Sequence, residues 1–175
     1  MVTESPNLYR AISIAGAAWT LSAEPIVTSK TGSASLLMPA RAPSRRVKLV
    51  YFPTTHGNAS QRSPEVLMAV RAPVSLKLAR RVVPRGHRFS LTARLRAGHG
   101  EHTSVLGTLQ VHQRGGWRTI RQLRFNAAPG GRGTAQIALR PRTPATYRFR
   151  VSIPGQAGLR YTRGTSTTRV LHVTP

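Results

Sequence analysis

Apolar and polar residues alternate along a segment in the second half of the chain. Within residues 87–96, Phe89, Leu91, Ala93 and Leu95 alternate with arginine, serine and threonine. Period-two alternation is typical of a β-strand that has one buried face and one solvated face. The pattern therefore predicts a strand with its apolar side chains pointing inward and its basic ones pointing outward.

Further short apolar segments follow at intervals of roughly ten residues, and glycine and proline turns separate them. We predict strands at seven segments of the second half: 76–83, 87–96, 105–114, 117–125, 133–139, 146–153 and 167–173. Gly115-Gly116 lies between two of them and predicts a hairpin turn, because glycine accepts the positive φ that tight hairpin turns need. Seven such strands predict a β-sandwich of the immunoglobulin (Ig) or fibronectin type.

The first half repeats the features of the second half in the same order. Trp19 corresponds to Trp117, and a Gly-Ser/Thr-Ala signal, a proline turn and two strand segments follow each tryptophan. We predict an all-β chain of tandem antiparallel Ig-like sandwiches, with the first domain at 1–72 and the second at 73–175. Only 18 residues precede Trp19, so the first sandwich lacks its first strands. Either the chain is a piece of a longer protein with neighbouring domains, or another chain donates those strands.

The chain is strongly basic, and the charge is uneven. It has 27 Lys and Arg against four carboxylates, for a net charge of +23, and residues 76–175 hold 19 of the basic residues but one carboxylate. Such a charge attracts polyanions by counterion release. Outward arginines on neighbouring strands would form a basic stripe, although a merely solvated strand face would look the same. The candidate polyanion-binding residues are Arg88, Arg94, Arg96, Arg118, Arg124, Arg148 and Arg150.

The composition excludes several kinds of chemistry. The chain has no cysteine and no aspartate, so it offers no thiolate zinc site, no cysteine nucleophile and no Ser-His-Asp triad. Its carboxylates are too few and too dispersed for a two-carboxylate mechanism. His99, Glu101 and His102 form the one cluster of metal-ligand types, but their glycine-rich loop lacks the spacing of helical zinc motifs. We expect no catalytic residues, no metal and no cofactor.

No apolar stretch reaches the length of about 18 residues that a transmembrane helix needs. Residues 11–23 have the length and small side chains of a signal-peptide core, but serine and threonine interrupt the apolar run. The sequence thus carries no clear export signal, and the repeat explains the same residues as strand.

Three segments of the second copy carry a family resemblance. The run from Leu109 to Ile120 contains an apolar strand, the Gly-Gly hairpin and Trp117, and the segments 133–135 and 147–151 follow it. In this order they resemble bacterial Ig-like and fibronectin type III-like repeats of secreted and cell-surface proteins. The resemblance implies a non-enzymatic structural or adhesive module with a secreted or surface location. It also implies core or strand positions for Trp117 and Tyr147.

We therefore expect an adhesive or spacing module whose outward arginines contact an anionic cell-wall polymer or polysaccharide. The alternative is a cytoplasmic, basic nucleic-acid-binding protein, which the 6% aromatic content disfavours because single-strand binders expose stacking aromatics. The predicted core of the second sandwich is Phe89, Leu91, Leu109, Val111, Trp117, Tyr147, Phe149, Val151 and Val170. The matching residues of the first copy are Trp19, Leu36, Met38, Val47, Leu49 and Leu67.

Overall fold

The computed structural model describes residues 7–14, 18–21, 26, 43–52, 61–96, 104–126, 133–156 and 159–175. The chain divides into two compact units, Met1–Val70 (unit 1) and Arg71–Pro175 (unit 2). Within the described ranges the regular structure is β-strand, and no helix occurs. The all-β fold class predicted from the alternation is confirmed.

The described part of unit 1 is a single antiparallel sheet. Its strands are β1 (Asn7–Ile14), β2 (Thr20–Leu21), β3 (Arg45–Phe52), β4 (Gln61–Arg62) and β5 (Val66–Met68). The order is β2-β1-β3-β4, and β5 pairs with the start of β3. Because β1 pairs with β3 along its whole length, β4 and β5 share the other edge of β3.

The predicted core residues of unit 1 have mixed outcomes. Val47 is buried, as expected, while Trp19 and Leu49 are half-buried. Leu67 is 69% exposed, so its prediction as a core residue is wrong. Leu36 and Met38 lie outside the described residues.

Unit 2 contains strands at or near every segment that the sequence predicted. They are β6 (Val74–Leu78), β7 (Val82–Pro84), β8 (Phe89–Leu95), β9 (Ser104–Gln113), β10 (Gly116–Asn126), β11 (Gly133–Leu139), β12 (Ala145–Ile153), β13 (Gly164–Thr165) and β14 (Arg169–Thr174). The largest departure is at 76–83, where the single predicted strand is two strands, β6 and β7, in different sheets.

Two sheets form the sandwich of unit 2. The smaller sheet has the antiparallel order β11-β8-β6. The larger has the order β10-β9-β12-β14-β7, with β13 paired to β12, and β7 runs parallel to β14. This strand order, with the first strand divided between both sheets, is Ig-like.

The core lies between the two sheets and follows the period-two pattern. In β8, Phe89, Leu91, Ala93 and Leu95 are buried, and each intervening side chain is exposed or partly exposed. The rings of Phe89 and Phe149 lie 6.2 Å apart and join the smaller sheet to the larger one. The other fully buried large side chains of unit 2 are Leu76, Val83, Leu109, Phe125, Val151, Ile153 and Leu171.

Three predicted core residues of unit 2 are not buried. Trp117 is half-buried on the outer face of the larger sheet, and Val170 is 38% exposed because the buried Leu171 beside it occupies the inward position. Tyr147 is half-buried, and its hydroxyl donates to the carbonyl of Thr143 at 3.0 Å. That bond forms the tyrosine corner at the start of β12, a hallmark of Ig sandwiches.

The β9–β10 hairpin turns one residue earlier than predicted. Gln113 pairs with Gly116, so the central turn residues are Arg114 and Gly115, with φ of 48° and 79°. Positive φ at both positions defines the tight turn that suits hairpin twist. Gly116 belongs to β10, and Arg114 adopts the left-handed conformation that the prediction assigned to a glycine.

Candidate functional site

Three of the seven candidate arginines lie on the outer face of the smaller sheet. Arg94 is exposed on β8, opposite Ser75 of β6 and Thr134 of β11. Arg88 and Arg96 flank the same strand at its two ends and are also exposed. The alternation in β8 therefore places these side chains as the sequence predicted.

The other four candidate arginines belong to the larger sheet. Arg124, Arg148 and Arg150 share its outer face, whereas Arg118 pairs with the inward-facing Val111 and lies on the opposite face. A register shift between Thr119 and Arg121 separates the two arginines of β10. Because β8 and β12 are in different sheets, the seven arginines do not form one continuous stripe.

A groove at the edge of the sandwich collects a different set of cations. It lies along β6 and the first half of β14, and we call it the edge groove. Val170, Thr168 and His172 form its wall on the β14 side. Six basic side chains line it: Lys77, Arg80, Arg81, Arg94, Arg96 and Arg169.

The chain reaches this edge by switching from one sheet to the other. The amide of Ala79 donates to Ser90 of the smaller sheet at 3.0 Å, and the carbonyl of Arg81 accepts from His172 of the larger sheet at 2.8 Å. The crossing therefore occupies residues 79–81. It places the consecutive Arg80 and Arg81 in one groove, whereas a continuous strand would send them to opposite faces.

The sequence analysis predicted Arg94 and Arg96 but missed the other four cations of the edge groove: Lys77, Arg80, Arg81 and Arg169. For Arg80 and Arg81 the sequence did contain a signal. Leu76 is buried and inward, so in one continuous strand Arg80 would also point inward. The next buried residue is Val83, while Val82 is 55% exposed, which reverses the alternation. A charge at an inward position followed by reversed alternation marks the crossing between sheets.

Arg169 links the two strands that border the groove, β14 and β6. It shares the inward direction of Leu171 at the start of β14, and its Nε donates to the carbonyl of Leu76 at 2.9 Å. This bond ties the first half of β14 to the edge of β6. Arg169 therefore supports the groove as well as adding charge to it.

No described residue of unit 2 is acidic, so no side-chain carboxylate in that part of the unit balances the charge of the edge groove. Residues 71–175 contain one acidic residue, Glu101, and it lies outside the described ranges. In unit 1, by contrast, Arg46 forms an ion pair with Glu65 at 3.4 Å. The six cations therefore repel one another, and an anion bound in the groove would relieve that repulsion.

A second surface surrounds Trp117 on the outer face of the larger sheet. The Arg150 guanidinium lies over the Trp117 ring, 4.0 Å from its centroid, and its Nε donates to Gln110 Oε1 at 2.8 Å. The His112 ring meets the same indole edge-on at 5.2 Å. Burial, followed by the nearby charge of Arg163, lowers the pKa of Arg150. Arg150 is thus held by neutral partners, whereas Arg148 is exposed beside the hollow next to Trp117.

The described residues contain no group of three or more histidine, cysteine or acidic side chains that could hold a metal ion. The cluster of His99, Glu101 and His102 lies outside those residues. In the same part of the chain, no helix has the length and hydropathy to cross a membrane.

Comparison with known proteins adds little to this description. No protein-family model matches the chain, and no curated protein matches it. Two solved structures of a CARDB domain from Pyrococcus furiosus, one a crystal structure with di-metal ions and one a solution structure, are similar over 61% of this chain. The match covers 93% and 98% of those chains, with 12% identity and TM-scores of 0.38 and 0.44. Similarity at this level carries no argument about function.

Proposed function

We propose that this chain is a non-enzymatic Ig-like module that holds an anionic polymer of the cell surface in its edge groove. The observation that carries the proposal is the charge of that groove, in which six basic side chains line one open surface. The notion of an adhesive module in a secreted or surface multidomain protein rests on this groove and on the sandwich fold.

Counterion release supplies the driving force. A polymer with repeating phosphates or carboxylates carries condensed counterions, and each cation of the groove that replaces one increases the affinity. Five of the six residues are arginine, whose planar guanidinium binds phosphate or carboxylate through two parallel hydrogen bonds. The groove therefore favours an anionic polymer over a neutral polysaccharide.

The surroundings of the groove support retention rather than reaction. The chain has no cysteine nucleophile and no aspartate to orient a catalytic histidine, and the groove is lined by cations, apolar residues, small hydroxyls and one histidine, His172. No aspartate or cysteine accompanies that histidine, so such a surface positions a charged polymer but lacks the partners of a nucleophilic mechanism.

The test is binding of the full chain to cell-wall preparations in physiological salt. The variant Lys77→Gln/Arg94→Gln removes two exposed charges from the groove. The control Arg121→Gln/Arg163→Gln removes the same charge from exposed positions of unit 2 that do not line the groove. We expect the groove variant to lose roughly tenfold in affinity through two lost contacts, and the control to lose much less.

A second arm uses walls from which the phosphate-bearing polymers have been extracted, together with duplex and single-stranded DNA. We expect extraction to abolish binding. Equal losses in the two variants would refute the groove as the site. Binding to DNA that exceeds binding to intact walls would replace the proposal with nucleic-acid binding.

A further inference from the structure

We infer that the edge groove is one end of a continuous basic track that binds a linear polyanion along the length of β8, rather than a small anion at one point. This inference rests on the proposed function and specifies the shape of the ligand. Two further hollows on unit 2 follow the edge groove one after the other, and each shares a basic lining residue with the hollow before it.

The middle hollow adjoins the edge groove at the crossing between sheets. Ala79 and Arg80 line both of them. Arg88, Phe89, Ser90 and Ala138 complete the lining of the middle hollow. Arg80 therefore stands between the two depressions and can contact a ligand in either.

The third hollow lies at the turn between β7 and β8, and we call it the turn hollow. It shares Arg88 and Ala138 with the middle hollow and adds Arg85, His87 and Arg140. Arg88 thus lines both the middle hollow and the turn hollow, as Arg80 lines both the edge groove and the middle hollow.

The turn hollow is held in shape by backbone hydrogen bonds. Gly86 has φ of +75°, its amide donates to Pro141 at 2.8 Å, and its carbonyl accepts from Arg140 Nε. The amide of Arg85 donates to Thr174 at 2.8 Å. These bonds fix the positions from which the arginine side chains extend, so less order has to be created when a ligand binds.

The three hollows together span the smaller sheet. Arg96 lines the edge groove at one end of β8, and Arg88 belongs to the turn hollow at the other end. At a rise of about 3.3 Å per residue, these ends lie roughly 26 Å apart. Nine lysine and arginine residues line the track: Lys77, Arg80, Arg81, Arg85, Arg88, Arg94, Arg96, Arg140 and Arg169.

A linear polyanion can contact more of these nine cations at once than a small anion can. A small anion neutralises one or two of the charges, whereas each further phosphate of a bound chain meets the next arginine at a high effective concentration. Affinity should therefore rise steeply with chain length until the track is filled.

The test measures binding of inorganic triphosphate and of long-chain polyphosphate to the full chain at one salt concentration. We expect long chains to bind at least about 100-fold more tightly, the lower bound for linked contacts. The track variant Arg85→Gln/Arg88→Gln removes charge outside the edge groove. It should lose roughly tenfold in long-chain affinity and keep its triphosphate affinity.

The control is again Arg121→Gln/Arg163→Gln, and the single variant Arg88→Gln replaces the track variant if the turn fails to fold. Equal affinity for the two probes, or equal long-chain losses in track and control variants, would overturn the track while leaving the proposed function intact. Failure of the unaltered chain to bind either probe would instead refute phosphate binding in the edge groove, and the proposed function with it.

Discussion

Gly164 occupies a position where even one methyl group does not fit. It lies at the start of β13, which pairs with the end of β12, and it faces the first residues of unit 2. A Cβ added there would overlap the carbonyl oxygen of Ala72 and lie 2.8 Å from its Cβ and 2.9 Å from its carbonyl carbon. Gly164→Ala therefore places two segments of unit 2 in the same space.

The cost of this overlap follows from what would have to move. Ala72 is buried, and its amide donates to the carbonyl of Thr162 at 3.0 Å, so it cannot retreat without breaking that bond. Overpacking costs about 1–3 kcal/mol, and clashes with backbone belong at the upper end. We expect the free energy of unfolding of unit 2 to fall by about 3 kcal/mol, which lowers its melting temperature by roughly 12 °C or more.

Two other glycines provide comparisons for the predicted loss of stability. At Gly107 the added Cβ would lie 2.6 Å from Ile153 Cδ1, 3.0 Å from Phe125 Cε2 and 3.2 Å from the carbonyl oxygen of Ser152. Its closest contact is with the flexible end of a side chain and its backbone contact is longer than the one at Gly164, so Gly107→Ala should cost less. At Gly155 nothing lies within 4 Å and φ is not positive. Gly155→Ala should be neutral or stabilise by about 0.4–1 kcal/mol, because alanine restricts the unfolded chain.

Urea unfolding followed by tryptophan fluorescence measures these differences. Trp19 and Trp117 lie in different units, so a Trp19→Phe background confines the signal to unit 2. The expected order of stability is Gly155→Ala, then Gly107→Ala, then Gly164→Ala. A Gly164→Ala protein as stable as the Gly155→Ala protein would refute the described packing of β13 against Ala72.

Two further predictions concern charge in unit 2. Replacing chloride by sulfate at equal ionic strength should raise the melting temperature of unit 2 more in the unaltered chain than in Lys77→Gln/Arg94→Gln, because an anion that binds the folded groove stabilises it beyond the general effect of sulfate. An equal rise in the two proteins would contradict anion binding by the groove. Arg150→Gln should cost about 0.5–1 kcal/mol through loss of the guanidinium–indole contact and should shift the emission of Trp117. Arg148→Gln, an exposed charge on the same strand, should change neither quantity, and equal effects of the two substitutions would contradict the described stacking.

The strands of unit 2 could be predicted because burial of one face of a strand requires an apolar residue at every second position. In β8 every second residue contacts the core, so alternation identified both the strand and the outward direction of Arg94. The same logic failed for Trp117 and Val170, because hydrophobicity alone does not tell which face of a sheet a side chain takes. Trp117 remains at the surface with Arg150 over its ring.

The edge groove could not be predicted from alternation alone. Lys77, Arg80 and Arg81 are close in the sequence, but Arg169 comes from β14, and the meeting of these segments depends on which sheet each strand joins. Strand pairing is a long-range property that composition and period do not encode. The alternation of inward and outward positions breaks at Arg80, and this break marks the crossing. It identifies a crossing between sheets only because β7 pairs with β14.

The parallel pairing of β7 with β14 has a mechanical consequence for a chain under tension. Val82 lies opposite His172, and the register continues to Pro84 and Thr174, so both strands run in the same direction. When the two ends of unit 2 are pulled apart, β7 is drawn backward and β14 forward along their common axis. The hydrogen bonds between them are then loaded together in shear, rather than one after another as in unzipping. The pull reaches β7 after β6, which pairs with β8 in the smaller sheet, and further extension must then break the β7–β14 ladder as a whole.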